Sequence, residues 1–293
     1  MIIFLYSIVH TGTIFTQHLL ASHPAIHFGT DLNGTIARTP INPLLDHMMR
    51  GRITPNQFET LIKVASVDRD RVVAGLDDPL SISTEDAPDW PHTILGCHIF
   101  ERGHLDKTWP RDLFEKGFRE FPIVTPLRDP VACLVSVLMG AGEDRPLAPH
   151  AWQAMDWQQA SDYVFNAYQY LETLTQYGAF FLPLDLMGGK ERSLQRMEAI
   201  HFFFNRLIGN QVVGHETYRL VVEWPRINVT TPDKYGKFRD PETIPRLLKV
   251  KECLALGEDP RGIDSTVDGF IANFRHTRPV SFLRTFGYEF PWA

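Results

Sequence analysis

Two short segments of the sequence carry residue types that can hold a phosphate group. In the first, Thr11, Gly12 and Thr13 follow the apolar run 2–9 and precede the helical pattern 14–22. A turn between a strand and a helix exposes backbone N–H groups that bind an anion without a lysine. Glycine lets the backbone approach the anion closely, and the threonines offer hydroxyl donors. The alternative interpretation is a tight turn with threonine caps.

The second segment combines Arg128 with Ser136. Arg128 follows the apolar run 121–127, and Asp129-Pro130 is typical of a helix start, with aspartate as the N-cap and proline as the first helical residue. Ser136 then falls in the second turn of that helix, so both side chains can face a phosphate over the same sheet edge. Together the two segments indicate a site for a phosphorylated ligand.

The elements that must position these segments alternate along the chain. Strands are predicted at 2–9, 93–100, 121–127 and 179–186, and helices at 14–22, 131–139, 152–177 and 191–208. This alternation predicts an α/β fold with three α/β/α layers and a central, mainly parallel sheet, in which ligands bind beyond the carboxyl ends of the strands. We expect one domain spanning 1–293, with an irregular region of loops and small helices at 30–91.

Composition limits the classes of partner. The 293 residues carry a formal net charge of −6, which argues against a protein that coats nucleic acid and favours a small phosphorylated ligand. The first apolar run is shorter than the roughly 20 residues of a membrane span and lacks a basic flank, so we expect no span and a cytoplasmic location. The cysteines, Cys97, Cys133 and Cys253, are far apart and are expected to be reduced, packed thiols.

These segments resemble the two cofactor-binding segments of the sulfotransferases that use 3′-phosphoadenosine-5′-phosphosulfate (PAPS). His23-Pro24 and the C-terminal segment Phe286-Gly287-Tyr288-Glu289-Phe290-Pro291-Trp292 are also similar to that family. The resemblance implies a P-loop NTPase-like architecture and the transfer of a sulfuryl group from PAPS to a hydroxyl or amine of a small-molecule or peptide acceptor. It assigns the 5′-phosphosulfate to His10, Thr11, Gly12, Thr13, Ile14 and Phe15, and the 3′-phosphate to Arg128 and Ser136. His10 stands where the family has lysine or arginine, and Ile14 where it often has threonine.

A base must accept the proton of the acceptor. His98 is the first candidate, because the strand 94–99 resembles the family strand that ends in a catalytic histidine, although Gly96 stands where a lysine is usual. Asp31 is the second candidate, because tyrosylprotein sulfotransferases have a catalytic glutamate at the corresponding place after His-Pro. A histidine buried in the core and an aspartate capping a loop are the respective alternatives.

Two other functions remain open at this stage. A kinase-like phosphotransferase with a degenerate phosphate loop would need ATP and Mg²⁺, but the Gly-Lys-Ser/Thr ending of a Walker A loop is absent from the sequence. A non-catalytic nucleotide-binding protein would keep the anion sites without turnover. No metal site is expected, because the sequence contains no HExxH pattern or comparable ligand spacing.

Overall fold

The structure, a computed structural model, describes residues 1–7, 11–28, 41–98, 114–116, 121–140, 156–185, 193–210, 214–227 and 243–293. Side chains are described for most of these residues. Five strands form one sheet: β1 (Ile2–Ser7), β2 (Ile26–Phe28), β3 (His92–His98), β4 (Ile123–Leu127) and β5 (Phe180–Pro183).

The strands are all parallel and lie in the order β2-β3-β1-β4-β5. The central strand β1 is an unbroken apolar run closed by Ser7, and all six of its residues are buried. A strand that is apolar on both faces is typical of a parallel sheet covered by helices on both sides. The predicted α/β fold with a parallel sheet is therefore confirmed.

Helices follow most of the strands. They are α1 (Thr13–Ala21), α2 (Ile41–Met49), α3 (Pro55–Val67), α4 (Arg69–Ala74), α5 (Pro130–Gly140), α6 (Trp157–Thr173), α7 (Ser193–Ile208), α8 (His215–Ile227), α9 (Thr243–Leu256), α10 (Ser265–Phe274) and α11 (Arg278–Arg284). None of those in the described ranges is long and apolar enough to cross a membrane.

Helices α1 and α5 lie on opposite faces of the sheet. Ile3 and Leu5 pack with the α1 residue Phe15 in one apolar cluster. Phe4 and Tyr6, which point to the other face, share a second cluster with α5. The alternation of side chains along β1 thus separates the two helical layers, which gives the three-layer α/β/α arrangement.

Strand β2 is absent from the prediction. It has only three residues, and they pair with His92–Ile94 at the start of β3. A run this short carries no recognisable alternation, so the strand exists because its partner supplies the hydrogen bonds. The sequence reveals only that a helix ends at His23-Pro24 just before it.

Much of the region predicted to be irregular, 30–91, is helical. Helix α3 begins at a capping box in which Thr54 and Gln57 satisfy each other's backbone N–H groups, with Pro55 at the first helical position. The buried residues of α3, including Phe58, pack in the same cluster as Phe4 and extend the helical layer on that face. The prolines and aspartates of this segment thus mark helix starts, with Pro55 beginning α3 and Asp68 capping α4.

Candidate functional site

The turn between β1 and α1 is built around Gly12. Its backbone is in the left-handed region, with φ of 91°, and it is the N-cap of α1. A Cβ atom at this position would lie 2.5 Å from Leu184 Cδ1, and Leu184 is only 1% exposed. Both the torsion angle and the close contact therefore require glycine.

The N-terminus of α1 is suited to bind an anion. The first backbone bond of the helix runs from Thr16 N–H to the Gly12 carbonyl, so earlier N–H groups of the first turn have no intrahelical acceptor. The first turn contains no acidic side chain that would occupy this end of the helix dipole. Thr13 uses its hydroxyl to donate to Ser7 Oγ at 2.8 Å, which ties the end of β1 to the start of α1.

The second junction places Arg128 directly after β4 and before α5. Asp129 caps α5, because its Oδ1 accepts from the N–H groups of Val131 at 2.7 Å and Ala132 at 3.1 Å. The carbonyl of Arg128 accepts a hydrogen bond of 2.7 Å from the Tyr168 hydroxyl on α6. Backbone contacts on both sides of Arg128 thus fix the direction in which its side chain leaves the sheet.

The guanidinium of Arg128 contacts Ser136, as the spacing of the two residues suggested. Arg128 Nη1 donates to Ser136 Oγ at 3.3 Å, and the Ser136 hydroxyl donates in turn to the Ala132 carbonyl at 3.0 Å. Arg128 Nε lies 3.6 Å from Asp185 Oδ1, just after β5. The Arg128 side chain is 26% exposed, so a solute can reach it.

Two residues of this site, Asp185 and Lys251, were not predicted from the sequence. Asp185 follows β5, accepts a hydrogen bond from the backbone N–H of Asp129 and lies beside Arg128. Lys251 on α9 is half-buried, and burial together with the charge of Arg128 lowers the pKa of Lys251 to about 8. Lys251 is one of two lysines on α9, the other being Lys249, and only the packing of α9 against α5 distinguishes it.

The pKa values of the two carboxyl groups at this junction, Asp129 and Asp185, are both raised. Burial and then the neighbouring charge of Asp185 raise the pKa of Asp129 to about 6, against the hydrogen bonds that it accepts. Burial also raises the pKa of Asp185, whereas the charge of Arg128 opposes that change. The junction therefore holds two cations and two acidic groups, and its net charge depends on pH.

Both junctions lie at the same edge of the sheet. Strand β1 is bonded to β3 on one side and to β4 on the other, and the chain leaves β1 and β4 toward helices on opposite faces. A crevice opens at such a point in an open parallel sheet, and ligands bind there. Ser7 pairs with His98 at the end of β3, so the backbone of His98 also reaches this edge.

Several predicted residues cannot be placed fully. His10 and Asp31 lie outside the described residues, and the side chains of Ile14 and His98 are not described. Thr11 is fully buried, and Phe15 is 1% exposed within the apolar cluster on the α1 face. A contribution from Phe15 to ligand binding is thus restricted to its backbone.

The Cys133 thiol on α5 and the rings of Phe165 and Tyr168 on α6 pack in the core beside the site. Burial raises the pKa of the Cys133 thiol to about 12, so that it stays protonated and unreactive. Phe165 and Tyr168 on α6 both make edge-to-face contacts with Phe274 of α10. These contacts pack α6 against α10.

Comparison with protein-family models found no matching family, and comparisons with curated proteins and with solved structures found no match either.

Proposed function

We propose that this protein is a sulfotransferase that transfers a sulfuryl group from PAPS to a hydroxyl or amine of a small-molecule or peptide acceptor. The observation that carries the proposal is the contact of Arg128 with Ser136 at the sheet edge where α1 also begins, at its N-cap Gly12. The pairing of an arginine with a serine eight residues later, opposite a strand-to-helix turn, is the feature that resembles the PAPS-dependent family.

The described side chains fit a ligand with two anionic groups. The 3′-phosphate of the cofactor would lie on Arg128 and Ser136, with the Lys251 ammonium as a second cation. Charge-assisted hydrogen bonds to phosphate are about twice as strong as neutral ones, so these two cations would favour a phosphate even in a chain of net charge −6 and beside Asp129 and Asp185. Asp185 would share Arg128 with the phosphate and keep its guanidinium oriented.

The 5′-phosphosulfate would lie at the β1–α1 turn. Backbone N–H groups at the start of α1 suit an anion there, and no acidic side chain of the first turn competes with it. His10 would contribute a positive charge only when protonated, in contrast to the lysine or arginine that the family has. We therefore expect sulfuryl transfer to slow as His10 loses its proton.

PAPS would supply the sulfuryl group, and the protein would supply position and a base. The acceptor oxygen or nitrogen forms a bond to sulfur while the bond from sulfur to the 5′-phosphate oxygen breaks, leaving 3′-phosphoadenosine-5′-phosphate. The proton of the acceptor passes to His98, or alternatively to Asp31. The pairing of His98 with Ser7 supports the first candidate, because it brings the end of β3 beside the phosphate turn.

The test is the melting temperature of the protein with and without 3′-phosphoadenosine-5′-phosphate, and separately with ATP plus Mg²⁺. A ligand present at about 100 times its dissociation constant stabilises the native state by roughly 2.7 kcal/mol, which is readily measured. Arg128→Ala should abolish the shift. Arg206→Ala is the matched control, because Arg206 is exposed on α7 and stacks on Phe202.

Each outcome separates the candidate functions. Stabilisation by the bisphosphate but not by ATP, lost only in Arg128→Ala, supports the cofactor site. Stabilisation by ATP and Mg²⁺ alone would favour the kinase-like alternative, and the absence of any shift would remove the basis of the proposal. If the bisphosphate binds but PAPS yields no sulfated product across phenol, sugar, amine and peptide acceptors, the protein is a non-catalytic binder.

A further inference from the structure

The chain's closing aromatic residues pack beside the second junction. Trp292 is 1% exposed and contacts the rings of Phe274 and Phe290. Its indole N–H does not end in this apolar cluster, because Nε1 donates to Asp129 Oδ2 at 3.2 Å. A residue that contributed packing alone would not need a donor at this point.

Asp129 connects Trp292 to the guanidinium of Arg128. Its Oδ1 is already used to cap α5, so the indole N–H satisfies the other carboxylate oxygen. The backbone N–H of Asp129 donates to Asp185 Oδ2, and Asp185 Oδ1 lies 3.6 Å from Arg128 Nε. Each member of this series holds the next one in a single orientation.

We propose that Trp292 is a positioning residue for the anion site, acting through Asp129 and Asp185 on the Arg128 guanidinium. With both carboxylate oxygens engaged, the Asp129 side chain cannot rotate away from its cap bonds to Val131 and Ala132. These bonds hold the backbone at the start of α5, so the Asp129 N–H stays aimed at Asp185. Asp185 then holds Arg128 toward Ser136, where the guanidinium can receive a phosphate. The identity of that phosphate rests on the proposed function, whereas the series of contacts does not.

The indole N–H of Trp292 donates to one of two neighbouring acidic groups at this junction. The carboxyl groups of Asp129 and Asp185 repel each other when both are ionised, and the hydrogen bond from Trp292 stabilises the charged form of Asp129. Trp292 near the end of the chain faces this pair as a donor, and Arg128 between β4 and α5 faces it as a cation. The other titratable groups beside the pair among the described residues are Cys133 on α5, Tyr168 on α6 and Tyr288 after α11. Loss of the indole donor would favour protonation of Asp129, and a neutral carboxyl accepts the capping N–H groups of Val131 and Ala132 more weakly. The start of α5, and with it the backbone N–H that donates to Asp185, would then be less firmly held.

The test compares Trp292→Phe, which keeps an aromatic ring and removes the donor, with the wild type. Trp90→Phe is the matched control, because Trp90 stacks on His27 of β2, away from the site. Two quantities are measured: the dissociation constant of 3′-phosphoadenosine-5′-phosphate by calorimetry, and the carboxyl pKa of Asp129 by ¹³C NMR titration. Both variants are also made in an Asp185→Asn background.

We expect Trp292→Phe to weaken bisphosphate binding by about three- to ten-fold and to raise the pKa of Asp129, with Trp90→Phe matching the wild type. In the Asp185→Asn background the effect of Trp292→Phe on binding should largely disappear, since the series of contacts is already broken. An equal effect in both backgrounds, or an unchanged pKa of Asp129, would overturn the proposal, because packing alone would then explain the residue.

Two further measurements cover the cases in which Trp292→Phe does not fold or the wild type does not bind the bisphosphate. If Trp292→Phe fails to fold, benzothienylalanine at position 292 keeps the size of the ring system and removes only the N–H. If the wild type binds no bisphosphate, the proposed function fails, and the Asp129 titration together with hydrogen exchange at Arg128 Nε–H decides the positioning role. Unchanged values of these two quantities in the variant would refute it.

Discussion

Gly12 shows how a single residue sets the geometry of the site. Its left-handed backbone turns the chain from β1 into α1, and the missing side chain leaves space for Leu184, which follows β5. The same glycine thus serves the local turn and the contact between two strand ends. A substitution here should affect both stability and ligand binding.

We predict that Gly12→Ala destabilises the protein more than Gly262→Ala does. Gly262 has a similar φ of 84° but open space around the Cβ position, so alanine there costs only the left-handed strain, about 1–2 kcal/mol. At Gly12 the clash with Leu184 adds roughly 1–3 kcal/mol. Urea unfolding of both variants measures the difference, and equal losses would contradict the close contact.

Lys251 loses its positive charge in a pH range where ligand binding can be measured. Burial and the charge of Arg128 lower the pKa of its ammonium to about 8. A bound phosphate favours the protonated form and raises this pKa, so binding is coupled to proton uptake above it. Phosphate monoesters are already dianionic in this range, so the ligand itself contributes little.

We predict that bisphosphate affinity falls by about ten-fold as the pH rises from about 7 to 9. Lys251→Arg should keep the affinity and flatten this dependence, whereas Lys251→Met should weaken binding at pH 7. The matched control is Lys249→Met, at an exposed position on the same helix. Calorimetry across this pH range measures the effect, and an unchanged slope in Lys251→Arg would assign the titration to another group.

At the level of secondary-structure elements, the start of α5 joins helix capping to the orientation of the site. The Asp129 carboxylate caps α5, accepts the hydrogen bond from Trp292 and lies beside Asp185. The Tyr168 hydroxyl donates to the carbonyl of the preceding residue, Arg128. The pKa of Asp129, about 6, lies above the ordinary aspartate value because of burial and the Asp185 charge. The folded state therefore holds this proton more tightly than the unfolded chain does.

Because the pKa of Asp129 is higher in the folded state than in the unfolded chain, the free energy of unfolding depends on pH. The folded state binds more protons than the unfolded chain between about pH 4 and 6, so this group makes stability fall as the pH rises through that window. Asp129→Asn removes the titration and keeps an acceptor for the cap. We predict that the variant gains about 1–2 kcal/mol relative to the wild type between pH 4.5 and 7.

Urea unfolding at both pH values measures this difference, with Asp162→Asn as the control at an exposed position on α6. Taking the difference between variant and wild type removes the contributions of other acids, such as Glu59 and Asp86, whose pKa values are lowered by their cationic partners. A constant difference at all pH values would show that Asp129 does not titrate in this window.

At the scale of the whole molecule, the site joins the two helical layers. The β1–α1 turn leads to one face of the sheet and the β4–α5 junction to the other. The proposed ligand would contact both junctions. The closeness of the two junctions is a property of strand order, since β1 and β4 are neighbours only in the folded sheet.

We predict that 3′-phosphoadenosine-5′-phosphate slows hydrogen exchange in both junctions at once. Peptides covering 11–21 and 123–136 should both gain protection, because bound phosphates order the first turns of α1 and α5. Peptides covering 55–74 serve as the internal control and should not change. Protection of one junction alone would mean that the ligand does not bridge the crevice.

The sequence alone identified the parts of the site that are local. Gly12 lies between an apolar run and a helical run, Asp129-Pro130 starts a helix, and Arg128 and Ser136 are eight residues apart. These features depend on neighbours in the chain, and therefore the strand-to-helix junctions and the parallel sheet could be predicted. The length of α3 could not be predicted from the sequence, because prolines that start helices resemble prolines in loops. The existence of β2 could not be predicted either, because a strand of three residues has no periodic pattern.

The tertiary structure alone decided which distant side chains meet at the junction. Asp185 lies 56 residues from Asp129, whose N–H it accepts, and Trp292 lies 163 residues away. Tyr168 reaches the Arg128 carbonyl across 40 residues. Nothing in the local sequence distinguishes Lys251 from other helical lysines or Trp292 from any buried aromatic residue. Their roles arise because strand order and helix packing bring them to one edge, and those depend on the burial of the whole apolar core.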